Sequence, residues 1–140
     1  MNQQRFALLR RDRRGVTAVE FALVAPVFMM FMFLIIDGAR AVWTYQTLQE
    51  VATNSARCAA LGLTGCKTQG EVQTYASARA AASGVKLATT AITLTTGATC
   101  QLMTGMTKVV ISTSYQGATT KLLPTAVSTL DTESCFPTAT

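Results

Sequence analysis

Residues 16–36 read VTAVEFALVAPVFMMFMFLII, and this stretch decides how the rest of the chain must be read. Its last sixteen residues, Phe21 to Ile36, carry no charge. Twenty-one residues in a helix, at about 1.5 Å each, reach roughly 32 Å, close to the hydrocarbon thickness of a bilayer. With no water there to satisfy the backbone, such a segment must be helical. Pro26 removes one amide donor inside it and introduces at most a bend, which a membrane helix tolerates. Five arginines (Arg5, Arg10, Arg11, Arg13, Arg14) precede the segment, with Asp12 among them, and Asp37 and Arg40 follow it. The positive-inside rule therefore predicts a cytoplasmic leader (residues 1–15), a single span (16–36) and an outer domain (37–140). Trp43 and Tyr45 fall just past the apolar run, where amphipathic rings favour the membrane–water boundary.

Glu20 is the exception to this apolar pattern. A carboxylate at the bilayer centre costs roughly 2.5–3.5 kcal/mol, and less near the end of a span, where the side chain reaches the headgroups. It is either a tolerated boundary acid or a carboxylate awaiting a positive partner. Cleavage after Gly15 would create such a partner, the new amino group of Val16.

Beyond the span, Ala41, Tyr45, Leu48, Ala52, Ser55 and Ala59 recur at three- and four-residue spacing, so the helix is expected to continue to about residue 60. Leu61 to Cys66, with two glycines, reads as a stop and a loop. Glu71–Ser83 is Ala-rich and reads as a second helix ended by Gly84. From Leu87 on, Thr and β-branched residues dominate. Ala91–Thr95 and Lys108–Tyr115 read as strands, with Cys100–Gly105 as their connection. The last ten residues offer little to bury and are expected to fray. The fold class is thus α+β: a long N-terminal helix and an outer helix laid on a small antiparallel sheet.

All four cysteines, Cys58, Cys66, Cys100 and Cys135, lie in the outer part, where an oxidising compartment favours disulfides. Three pairings are open; proximity and nesting favour Cys58–Cys66 with Cys100–Cys135. The absence of histidine and the wide cysteine spacing argue against a metal site.

Nothing in the residues makes a catalytic set. Histidine, the side chain whose unperturbed charge change lies near neutral pH, is absent. No phosphate-binding glycine loop or nucleophile elbow occurs. Asp131 and Glu133 could form a carboxylate pair, but they sit in a polar tail that reads as a solvated turn. Met29, Met30 and Met32 belong to the apolar run, leaving too few others for a copper site. Net charge is +5, but five of the twelve basic residues are in the leader, so a basic nucleic-acid face is not expected. The residues therefore point to a structural protein without cofactor, small-molecule substrate or nucleic-acid partner.

The string Arg13-Arg14-Gly15-Val16-Thr17-Ala18-Val19-Glu20-Phe21-Ala22-Leu23-Val24-Ala25-Pro26-Val27, followed by Asp37-Gly38-Ala39-Arg40, resembles the TadE-like family of pseudopilins. These serve the tight-adherence (Flp) pilus systems of bacteria. Tyr45–Gln49 through Ala56–Ala60 is similar to the helix that follows in the family, and Val109–Pro124 has a fainter likeness. The resemblance implies Gly15 as the last leader residue and Val16 as the first mature one. Glu20 would be the assembly acid and Phe21 the aromatic that follows it. It implies a prepilin peptidase, other pilins and the pilus assembly platform as partners. It also implies an inner-membrane location with a periplasmic C-terminal domain, and an extracellular pilus after assembly. The chain is longer than a major Flp pilin, which favours a minor pseudopilin of TadE or TadF type. Two alternatives stand beside it. One is an uncut membrane-anchored protein with an outer binding domain. The other is a secreted protein cut after Ala41, at the small-x-small triplet Ala39-Arg40-Ala41.

Overall fold

The structure, a computed structural model, describes residues 15–117 and 128–138. The basic leader before Gly15 and the end of the Val109–Pro124 stretch lie outside the described residues. The chain divides into two compact units, one up to Ile36 and one from Asp37 onward. The architecture is α+β.

Helix α1 spans Val16–Ala60 and passes Pro26 without a break. Within the first unit its side chains are exposed almost throughout, and it is the one described helix long and apolar enough to cross a membrane. Among the described residues no internal packing stabilises this stretch. A bilayer, in which each amide must find its partner within the helix, would account for it.

In the second unit α1 acquires a buried face: Thr47, Leu48, Val51, Ala52, Ser55 and Ala56. Tyr45, expected on that face, is 45% exposed. The periodicity was legible, but continuous burial begins only at Thr47, after isolated burial at Asp37 and partial burial at Ala41 and Thr44. Gly62, at φ +60°, ends the helix, and its amide and that of Leu63 bond back to the Ala59 and Cys58 carbonyls.

Helix α2 spans Gln69–Ala82, two residues earlier at its start than the alanine run implied. The reason is a capping box: the Thr68 hydroxyl accepts from the Glu71 amide, and the Glu71 carboxylate accepts from the amides of Thr68 and Lys67. Its buried face, Val72, Ala76 and Ala80, meets α1 through small side chains.

The sheet has order β1-β2-β3, all antiparallel: β1 Ile92–Cys100, β2 Met103–Ser114 and β3 Thr129–Pro137. Two expectations are corrected. The first strand continues to Cys100, so the connection is only Gln101-Leu102, with Gly97 at φ +71° beside an irregularity in the pairing. The tail is not frayed but forms β3. Leu130 and Thr132 point inward, while Asp131 and Glu133 alternate outward. Ile92, Val109, Ile111 and Leu130 complete the core against Leu48 and Val72.

Glutamine amides occupy both edges of the sheet. The Gln69 side chain donates to the Ile92 carbonyl at 2.7 Å and accepts from the Leu94 amide at 2.7 Å, as a neighbouring strand would. On the other edge Gln49 donates to the Glu133 carbonyl at 3.2 Å. Occupied edges resist pairing with stray strands.

Candidate anchoring and assembly site

Gly15, Val16, Glu20 and Phe21 sit on the first turns of α1, all exposed. Val16 and Glu20 are four residues apart and share a helix face. Among the described residues Glu20 has no hydrogen-bond or ion-pair partner. A Cβ at Gly15 would meet nothing within 4 Å, so packing does not require glycine there.

A second cluster lies where α1 begins the second unit; the sequence marks Asp37 there but gives no sign of its partner. Asp37, 7% exposed, receives the Tyr115 hydroxyl at both its carbonyl oxygen (3.2 Å) and its carboxylate Oδ1 (3.3 Å). A side chain at Gly117 would run into the same carboxylate, so glycine permits this close approach. Burial pushes the Tyr115 hydroxyl above its ordinary pKa; the charge of Asp37 and the hydrogen bond to it add to the rise, and Arg40 offsets part of it. A contact spanning 78 residues ties the end of β2 to the start of the outer half of α1.

The cysteines form two bonds, Cys58–Cys66 and Cys100–Cys135, the pairing that proximity favoured. The first closes the turn after α1. The second joins the two edge strands across the central strand. Beside it Lys108 pairs with Glu133, and Asp131 accepts from Ser112, so both acids lie along a strand instead of in a solvated turn. Among the described residues no group of three potential metal-ligating side chains occurs.

Two features of the second unit were invisible in the sequence. One is an apolar groove of about 460 Å³ lined by Ala41, Val42, Tyr45, Thr129, Leu130 and Asp131. The other is the β1–β2 hairpin tip. Gln101 and Leu102 both have positive φ (48° and 72°), and Leu102 is 99% exposed.

These features define a class: a protein with one candidate membrane helix that continues into a disulfide-tied α+β unit. The family model described as TadE-like protein matches residues 15–57, the stretch of α1 that carries Gly15, Glu20 and Asp37. No curated protein matches the chain. No solved structure matches it.

Proposed function

We propose that the chain is a minor pseudopilin that takes part in assembling a tight-adherence (Flp) pilus. Residues 1–15 act as a leader removed by a prepilin peptidase after Gly15, residues 16–36 span the inner membrane once, and residues 37–140 form the outer, periplasmic domain. The observation that carries this reading is the family match, which opens at Gly15 and follows the apolar helix outward. The free space around Gly15 fits it too: the fold does not ask for glycine there, whereas a peptidase reading the leader would.

The mechanism is assembly, not catalysis. The apolar helix parks the subunit in lipid. Cleavage leaves a charged amine on Val16, one turn from Glu20. Two unpaired charges in a low-dielectric setting are costly, and pairing the amine of one subunit with Glu20 of a neighbour removes both penalties together. The fibre's helix packing is thereby favoured over dispersal in lipid. The partners are the peptidase, other pilins and the assembly platform. Secretion by cutting after Ala41 fits less well, because it would strip Asp37 from the Tyr115 hydroxyl that holds the unit's edge.

Mutation separates the two steps. Gly15→Ala should leave a longer, uncut band beside a cut wild type; equal mobility would remove the cleavage step. Glu20→Ala should be cut normally and fail to support pili, and normal piliation would remove the charge pairing.

A further inference from the structure

The two disulfides have opposite surroundings. Cys58 and Cys66, 7% and 1% exposed, belong to the buried core. Cys100–Cys135 lies outside that core. Cys135 is half-buried, and both of its cysteines line a surface cavity of about 420 Å³. Lys108 and Glu133 line the same cavity as an ion pair at 2.5 Å. Lys108 is also the direct cross-strand partner of Cys135. An ammonium group has three donors, so its pairing with Glu133 leaves it able to draw a second anion into the cavity.

The same bond holds a costly piece of backbone. Cys100 ends β1 and is followed by Gln101 and Leu102, whose φ values of 48° and 72° favour asparagine or glycine. The bond ties this hairpin end to β3 across β2. Opening it lets the turn relax, which lowers the cost of breaking it. Exposed disulfides that hold strain are the labile ones, whereas buried, relaxed ones resist reduction. Bracing the sheet does not require this placement, since a bond facing the core would brace it equally well.

We propose that Cys100–Cys135 is a thiol–disulfide exchange site, opened by a dithiol oxidoreductase, and that Cys58–Cys66 is purely structural. The partner's thiolate, drawn by Lys108, attacks Sγ of Cys135, the more exposed sulfur. The S–S bond breaks, and Sγ of Cys100 leaves as a thiolate that takes a proton from water. The partner's second thiol, once deprotonated, attacks its own sulfur in the mixed disulfide and displaces the Cys135 thiolate, which is protonated in turn. The chain's bond gains two electrons and two protons, and the partner is oxidised to a disulfide. The buried side chains of β3, Leu130 and Thr132, lie near its start. Exchange therefore sets how firmly the end of that strand is held. The inference rests on the second unit alone and not on the pilus reading.

The test uses the full chain in detergent, without denaturant. Dithiothreitol is added, samples are alkylated over time, and the labelled cysteines are mapped by mass spectrometry. Cys100 and Cys135 should be labelled at least about tenfold faster than Cys58 and Cys66. A thioredoxin whose second active-site cysteine is replaced by serine should be trapped on Cys135. Equal rates, the reverse order, resistance of Cys100–Cys135 until the chain unfolds, or a trap on any other cysteine would overturn the proposal. Two variants examine Lys108. Lys108→Met should slow the opening about threefold, and Glu133→Gln should speed it by a similar factor. A pair that merely braced the sheet would shift both rates in one direction, and that result would remove Lys108 from the mechanism. A chain cut after Gly15 that keeps both bonds under dithiothreitol retains the pilus reading and loses this site.

Discussion

The two units of this protein are stable for opposite reasons. In the first, nearly every described side chain, from Gly15 to Ile36, is exposed and none belongs to the buried core. As a candidate membrane span, its helix would be dictated by solvent, since in lipid the backbone has no alternative. In the second unit the fold is held by particular contacts: a core rich in alanine, two disulfides, glutamines on the sheet edges and the Tyr115–Asp37 contact. Composition specifies the first and position the second. Substitutions should therefore be tolerated by type in one and resisted by site in the other.

The sharpest way to break this comparison is to open the bond between the edge strands. Cys100→Ser with Cys135→Ser releases a loop with a sequence separation of 35, worth about 4 kcal/mol in the chain-entropy model. Urea unfolding of the full chain in detergent should show a loss of that order. Leu48→Ala, at a fully buried site, should cost about 3 kcal/mol through lost burial and the cavity left behind. Phe31→Ala, at an exposed site in the apolar helix, should leave the outer unit's midpoint unchanged. Equal losses at the two sites would contradict the division. Opening Cys58–Cys66, with its separation of 8, should cost less, about 2.5 kcal/mol.

The smallest loss expected within the second unit concerns Tyr115. Its folded pKa is raised above its ordinary value near 10. The folded state then holds the proton more tightly than the unfolded chain. The stability linked to it is intact below that ordinary value and is lost as pH rises through the folded value. Tyr115→Phe should cost about 1 kcal/mol at neutral pH and flatten the decline of stability above pH about 10. An unchanged alkaline slope would show that the hydroxyl is not the group responsible.

The same division explains what could be read from the chain. The long apolar helix and its continuation, the stop at Gly62 and the cysteine pairing follow from local pattern and proximity. The third strand did not, because Thr129–Pro137 holds few apolar residues and carries Asp131 and Glu133. It becomes a strand only by pairing with β2, which buries Leu130 and Thr132. The start of α2 was recoverable, since Thr68 and Glu71 carry a capping-box signal outside the alanine run. Asp37 was visible as the end of the apolar run, but its tie to Tyr115 crosses 78 residues and leaves no local mark. The glutamines on the sheet edges likewise take their meaning from three-dimensional placement.

The central claim is that residues 15–57 are a processed pilin-type helix and not a plain anchor. The N-terminal residue of the mature protein from its native host tests this most directly. A start at Val16 is expected and would establish cleavage after Gly15. An intact Met1 in piliated cells, or a start at Val42, would contradict it.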